Sequence, residues 1–152
     1  MYSKILVPVD GSAQSTLGLA EAIKVAKCFG ARLRLVHVVN EFIMADAAYV
    51  PWLYYERLIE PMREMGKKIL DSAEATVRQQ GLESKTALLD TIGGRVADQI
   101  VEQAKQWPAD LIVMGTHGRR GMSRLALGSD AEMVLRTSPV PVLLVRGNPD
   151  AA

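Results

Sequence analysis

The first apolar run of the chain constrains its fold most strongly. Residues 4–9 read KILVPV, which is almost entirely apolar and rich in β-branched residues, and the run ends at the turn sequence Asp10-Gly11-Ser12. A strand without polar alternation is typical of a parallel sheet that is buried on both faces. The sequence therefore predicts an α/β fold in which helices cover both sides of a sheet.

Further strands alternate with helical patterns along the chain. They are predicted at Arg32 to Val39, Lys85 to Leu89, Asp110 to Gly115 and Val140 to Val145. Ser12 is expected to cap the first helix and Gly30 to end it, while Pro61 suits the first turn of the second helix. A third helical pattern carries Val96, Ile100 and Ala104, and a fourth helix opens near Ser129. Such alternation implies right-handed βαβ crossovers, so we expect a single doubly wound, open, parallel sheet of five strands.

Length and charge narrow the class of protein. The 152 residues suit one domain, which we place at residues 1–146, followed by a short flexible tail at residues 147–152. The net charge of +1 argues against nucleic-acid binding, and no apolar run approaches the roughly 18 residues of a membrane span. Met1 leads directly into the first strand without a signal peptide, and Cys28, the single cysteine, is expected to be buried. We therefore expect a cytoplasmic protein that binds neither nucleic acid nor membranes.

A glycine-rich segment follows the fourth predicted strand. In a doubly wound sheet, ligands bind beyond the carboxyl ends of the strands, here after Asp10 and after Gly115. The glycines at 115, 118 and 121 allow successive amides to converge on an anion, and three arginines, Arg119, Arg120 and Arg124, add positive charge. Gly128 and Ser129 then begin a helix, whose free N–H groups favour negative charge. The segment predicts a phosphate site, although glycines after a strand also serve as simple turn residues.

The spacing of these glycines resembles a known family. Gly115, two residues, Gly118, nine residues and then Gly128-Ser129 is similar to the nucleotide-binding pattern of the universal stress protein family, in its ATP-binding branch. The resemblance extends over nearly the whole chain. Its other matches are residues 5–12 (ILVPVDGS), residues 35–39 (LVHVV), residues 109–115 (ADLIVMG) and residues 139–145 (PVPVLLV).

This resemblance implies a sheet of order 3-2-1-4-5 with ATP bound across the point where the winding reverses. The site residues that it implies are Pro8, Val9 and Asp10 on the adenosine side, Val38 at the adenine, Met114, Gly115, His117, Gly118 and Arg119 at the ribose and phosphates, and Gly128 and Ser129 at the phosphates. Asp10 is also the candidate ligand for Mg²⁺ or for a ribose hydroxyl. Asp130 departs from the small apolar residue of many members, so it either points away from the phosphates or weakens their binding.

Several functions stay open at this point. The chain lacks the P-loop and dinucleotide motifs, and a receiver domain needs an acidic cluster and a lysine where this chain has Asp10 alone and Arg146. No group stands out as a base for hydrolysis, which favours a regulatory module that binds ATP, or AMP or ADP, with little or no turnover. The alternatives are a slow ATPase or phosphotransferase, with His117 or Ser129 as phosphoryl acceptor, and an interaction module that binds no nucleotide.

Two segments suggest partners. Residues 40–55 have no clear period and carry five aromatic residues, so they form either extra core over the sheet edge or a lid or surface for an unknown protein partner. The fifth strand is predicted to lie at a sheet edge, where an apolar strand invites pairing with another chain. Since members of the family commonly dimerise in this way, the resemblance implies a homodimer through Val140 to Val145.

Overall fold

Strands and helices alternate through the part of the chain that the structure describes. The computed structural model describes residues 1–40, 52–91, 94–116 and 127–147. Its strands are β1 (Lys4–Pro8), β2 (Arg32–Asn40), β3 (Ser84–Thr91), β4 (Leu111–Gly115) and β5 (Val142–Val145). Its helices are α1 (Ala13–Phe29), α2 (Trp52–Gln79), α3 (Val96–Gln106) and α4 (Ser129–Thr137). None of these described helices is both long enough and apolar enough to cross a membrane.

The five strands form one parallel sheet in the order β3-β2-β1-β4-β5. Ile5 of β1 lies beside Leu33 of β2 on one side and beside Leu111 of β4 on the other. The winding therefore reverses between β1 and β4, and β5 lies at an edge. These findings confirm the predicted fold class and strand order.

The sheet separates two apolar layers. On one face, α1 and α2 pack through residues such as Leu19 and Val77 against Ile5 and Val7 of β1. On the other face, α3 and α4 bury their apolar residues against Leu6 and its neighbours in the sheet. Because alternate residues of β1 point into both layers, the strand has no exposed face, and this explains its continuous apolar sequence.

The ends of α1 follow the predicted capping pattern. The Ser15 N–H donates to Ser12 Oγ at 3.1 Å, and Gly30 ends the helix in the left-handed conformation with φ of 64°. Ser12 thus accepts from one of the free N–H donors at the helix start, and Gly30 adopts a backbone conformation that is unfavourable for residues other than glycine.

The beginning of α2 corrects two predictions. The helix starts at Trp52, so Pro61 lies in its interior and not in its first turn. Ile59, which is 1% exposed, extends the apolar face of the helix ahead of Pro61, and tertiary packing therefore outweighs the missing prolyl N–H. The prediction that segment 40–55 has no helical period was therefore wrong for its last residues, 52–55. Residues 41–51, where a lid or a partner surface was also considered, lie outside the described residues.

Two smaller predictions were also wrong. Cys28 is exposed because it lies on the side of α1 opposite the buried Ala26, about 200° away around the helix. The strand β5 begins at Val142 and not at Val140. Pro141 has no N–H for the sheet, and the Val140 N–H donates to Ser138 Oγ at 3.2 Å in the preceding turn.

Asp110 joins the start of β1 to the start of β4. Its carboxylate accepts hydrogen bonds from the Ser3 N–H at 2.8 Å, the Ser3 hydroxyl at 2.8 Å and the Lys4 N–H at 3.1 Å. Partial burial alone would raise the pKa of Asp110, but these bonds to the charged form outweigh burial and hold the pKa below its ordinary value.

This arrangement predicts a pH-dependent stability. Because the folded-state pKa of Asp110 lies below the unfolded value of about 3.9, the stabilisation is present above that value and is lost as the pH falls through the folded-state pKa. We expect Asp110→Asn to lower the free energy of unfolding by about 1 kcal/mol at neutral pH, and by less in acid. Urea unfolding of both chains at neutral pH and at about pH 3 measures this difference, and an equal difference at the two values would contradict the assignment.

Candidate functional site

A cleft of about 810 Å³ lies at the carboxyl ends of the strands, where the winding reverses. Every described residue that was predicted for the site lines this cleft, namely Pro8, Val9, Asp10, Val38, Met114, Gly115, Gly128 and Ser129. The remaining predicted residues, His117, Gly118 and Arg119, lie outside the described residues, as do Arg120 and Arg124. The structure thus brings residues from β1, β2, β4 and the start of α4 together around one space.

The end of β1 enters the cleft as an ordered turn. The Val9 N–H donates to the Val36 carbonyl at 2.8 Å, which continues the strand contact one residue beyond Pro8. The Ser12 N–H donates to Asp10 Oδ1 at 2.9 Å, and Gly11 has φ of 79°. A turn closed by the aspartate side chain and a glycine with positive φ reverses the chain sharply. Asp10 is therefore held at the cleft between β1 and α1.

Two glycines allow α1 to lie directly against the end of β4. A Cβ atom on Gly115 would lie 2.6 Å from the Gln14 carbonyl oxygen, and one on Gly18 would lie 2.9 Å from the Gly115 backbone nitrogen. Real Cβ atoms do not approach backbone atoms this closely. The first turns of α1 and the end of β4, which together border the cleft, are thus packed backbone against backbone.

The start of α4 offers donors to the cleft. The Gly128 N–H donates to the Thr116 carbonyl at 2.9 Å, which ties together the two described ends of the glycine-rich segment. Gly128 is the N-cap of α4 and has no side chain to accept from the first N–H groups, in contrast to Ser12 at α1. Such a helix start favours an anionic ligand. Asp130, which is exposed, also lines the cleft and therefore brings a negative charge to the same end.

Apolar residues that the sequence did not predict for the site also line the cleft. They are Pro61, Met62 and Met65 of α2 and, from the opposite face of the sheet, Val96 and Ile100 of α3. Helical spacing alone would place Met65 in the core, but this residue is 51% exposed. No local pattern distinguishes a cleft-lining methionine from a buried one, because both lie on the apolar side of the same helix.

Two buried polar residues also line the cleft and were not predicted as site residues. Ser15 and His37 are each 7% exposed. The Ser15 hydroxyl accepts from the Asp10 N–H at 3.1 Å, and His37 Nδ1 lies 2.7 Å from the Val9 carbonyl oxygen. The only available signal was the presence of a histidine within a buried strand, where a polar side chain needs a partner.

The acidic residues of the described part of the chain do not form a metal centre by themselves. Within the described ranges, no three His, Cys, Asp or Glu side chains come together as a metal-binding group. Magnesium, however, is usually bound by one or two carboxylates together with the phosphates of a nucleotide. The single carboxylate of Asp10 fits that mode.

The fold and the cleft define a class, a doubly wound α/β protein with a ligand-sized cleft at the point where the winding reverses. The model of the universal stress protein family matches residues 1–146, and the chain belongs to this family. A universal stress protein of Methanocaldococcus jannaschii is 36% identical over 147 residues, which cover 96% of this chain and 83% of that relative.

Solved structures agree with this assignment. The universal stress protein UspA from Lactobacillus plantarum has a TM-score of 0.81 and 28% identity, covering 95% of this chain and 98% of that one. A universal stress protein from Archaeoglobus fulgidus, solved in complex with dAMP, has a TM-score of 0.67 and 26% identity, covering 95% of this chain and 98% of that one. The recognition of the family from the glycine spacing and the strand sequences is thereby confirmed.

Proposed function

We propose that the protein binds an adenine nucleotide in the cleft and acts as a nucleotide-dependent regulatory module in a stress response. The observation that carries this proposal is the convergence on one cleft of residues at the ends of β1, β2 and β4 and at the start of α4, together with apolar residues of α2 and α3. The dAMP bound by the Archaeoglobus fulgidus relative supports an adenine nucleotide as the ligand class.

The strand order gives the cleft two ends, with β2 and α2 on one side of β1 and the end of β4 and the start of α4 on the other. At the first end, Pro61 and Met62 of α2 and Val38 of β2 provide apolar surface that suits the flat and largely apolar base. The uncapped start of α4 at Gly128 and Ser129 suits the phosphates. Asp10 lies at the cleft between these ends and is the candidate ligand for a ribose hydroxyl or for Mg²⁺ on the phosphates.

We further propose ATP with Mg²⁺ as the cellular ligand, with AMP and ADP as competitors for the same cleft. The Asp10 carboxylate lines the cleft and is a candidate base for hydrolysis, but its Oδ1 atom already accepts a hydrogen bond from the Ser12 N–H. Fast hydrolysis needs a group that orients water toward the γ-phosphate. We therefore favour a function in which ATP binding changes a surface that a partner protein recognises, and not one in which ATP is hydrolysed.

Two measurements test this proposal. Freshly purified protein is denatured and any released nucleotide is identified by chromatography, with an adenine nucleotide as the expected result. Phosphate release is then followed under single-turnover conditions with ATP and Mg²⁺. A rate of phosphate release well above about one per minute, lost in Asp10→Ala, would contradict the regulatory function and indicate an ATPase.

The edge strand β5 leads us to propose a homodimer through residues 140–145. Leu143 of β5 is 37% exposed, and two other exposed leucines, Leu17 of α1 (41%) and Leu135 of α4 (49%), lie on the helices that pack beside this strand. An edge strand with exposed apolar side chains is suited to pairing with a second copy of the chain.

We expect Leu143→Lys to convert this dimer to a monomer, because the charge would be buried at the strand interface. Light scattering after size-exclusion chromatography at about 10 µM measures the mass, a concentration that populates a dimer with a micromolar dissociation constant. Gln79→Lys adds the same charge at an exposed residue of α2, which packs on β2 and β3 and lies away from β5, and should leave the dimer intact. A monomeric mass for the unsubstituted chain would contradict the proposal.

A further inference from the structure

We infer that His37 and Ser15 are positioning residues that hold Asp10 in place for the nucleotide. Each binds one polar atom of the peptide group that joins Val9 to Asp10, and we call this arrangement the Val9–Asp10 clamp. The inference rests on the proposed function, because the effect of the clamp on a nucleotide passes through the Asp10 carboxylate.

The two halves of the clamp come from different elements. His37 Nδ1, from β2, lies 2.7 Å from the Val9 carbonyl oxygen. A carbonyl oxygen only accepts hydrogen bonds, so Nδ1 carries a proton and donates it. On the other side of the same peptide group, the Asp10 N–H donates to Ser15 Oγ, from the first turn of α1, at 3.1 Å.

The clamp lies just beyond the end of β1, where the backbone hydrogen bonds of the sheet end. The strand β1 ends at Pro8, and β4 pairs with it only through Ile5 and Leu6. The Val9 N–H still donates to β2, but the next two polar groups, the Val9 carbonyl and the Asp10 N–H, are bound by side chains. Leaving a buried backbone group without a partner costs about 1–3 kcal/mol, so these bonds select one path for the chain.

The helix α2 holds the histidine ring in place. A Cβ atom on Gly66 would lie 2.7 Å from His37 Cδ2, so the backbone of α2 lies directly against the imidazole. Because the ring is 7% exposed and is confined by this helix, its Nδ1 atom has a fixed direction toward Val9. The position of Asp10 therefore depends on contacts with β2, α1 and α2 at the same time.

Four polar groups of Val9 and Asp10 are hydrogen-bonded, and the clamp makes two of these bonds. They are the Val9 N–H, the Val9 carbonyl, the Asp10 N–H and the Asp10 carboxylate. A ligand-binding carboxylate that is already ordered loses less conformational entropy when the ligand binds. This order gives His37 and Ser15 a role in affinity although neither of them needs to contact the nucleotide.

The test measures ATP affinity by calorimetry in variants of the full chain. His37→Leu removes the donor, His37→Asn keeps an N–H donor close to the position of Nδ1, and Ser15→Ala removes the acceptor while leaving the Ser12 cap, which uses the Ser15 backbone N–H. We expect His37→Leu and Ser15→Ala each to weaken binding about tenfold and His37→Asn to restore part of the loss. In an Asp10→Asn background, the same substitutions should have little further effect.

Equal losses with and without the aspartate would overturn the inference, since they would indicate a general packing role for the two residues. Unchanged affinity in His37→Leu and Ser15→Ala, with ATP bound by the unsubstituted chain, would also overturn it and leave the proposed function standing.

Amide hydrogen exchange without nucleotide provides the second readout. We expect His37→Leu and Ser15→Ala each to accelerate exchange of the Asp10 amide at least about tenfold, with little change at the Val113 amide in the centre of β4. Parallel acceleration at both amides would indicate global destabilisation and contradict the clamp. If the unsubstituted chain binds no nucleotide, the proposed function and the role of the clamp in affinity both fail, whereas the exchange data still decide whether the clamp orders Asp10.

Discussion

Gly18→Ala is expected to destabilise the protein by about 2 kcal/mol, although alanine is the better helix former. The new Cβ would lie 2.9 Å from the Gly115 nitrogen and 3.1 Å from the Met114 carbonyl carbon, which are backbone atoms in the middle of the fold. Neither can move without separating α1 from β4. Overpacking of this kind costs about 1–3 kcal/mol, and the contact with backbone places the cost at the upper end, against about 1 kcal/mol gained in helix propensity.

A substitution elsewhere in the same helix separates packing from propensity. Ala20 of α1 is exposed, so Ala20→Gly should lower the free energy of unfolding by about 1 kcal/mol through helix propensity alone. Urea unfolding of the two variants and the unsubstituted chain gives the comparison. If Gly18→Ala proved more stable than the unsubstituted chain, the backbone contact between α1 and β4 would be wrong.

Ser129→Glu is expected to weaken ATP binding at least about tenfold, or about 1.4 kcal/mol, while stabilising the folded chain slightly. Ser129 is the first residue of α4 and lines the cleft. A carboxylate in the first turn of a helix stabilises it by about 0.3–1 kcal/mol, but the same charge repels the phosphates that we place there. The opposite signs distinguish a lost ligand site from a damaged fold.

Matched variants isolate the charge at this end of the cleft. Ser129→Gln has nearly the size of Ser129→Glu without the charge and should retain much more affinity. Asp130→Asn removes a native negative charge at the cleft, so it should tighten ATP binding more than AMP binding. Equal affinities for Ser129→Glu and Ser129→Gln in calorimetric titrations would mean that the phosphates do not lie at the start of α4.

Much of the fold could be predicted because its signals are local. The unbroken apolar runs of β1 and β4, Ser12 as a cap and Gly30 as a helix end each act within a few residues. The start of α2 could not be predicted in the same way. Pro61 indicates a helix start locally, whereas the burial of Ile59 against the rest of the molecule favours helix before it.

The residues of the site differ in the same way, since some could be predicted from local sequence and others could not. Residues adjacent in sequence to strand ends, such as Asp10 and Gly128, could be predicted because parallel strands end at the same edge of the sheet. Met65 and His37 could not, since they reach the cleft only through the packing of α2 on β2. The role of Gly66 could not be predicted either, because the absence of a side chain there matters only for the space that it leaves for the His37 ring.

The central claim is that the cleft binds an adenine nucleotide, and a direct titration tests it. Protein that has been stripped of any bound nucleotide is titrated calorimetrically with ATP and Mg²⁺, with Ser129→Glu measured in parallel. We expect saturable binding of one ATP per chain near 1 µM, about −8 kcal/mol, and a loss of at least tenfold in the variant. Absence of binding by the unsubstituted chain at millimolar ATP, about −4 kcal/mol or weaker, would contradict the claim.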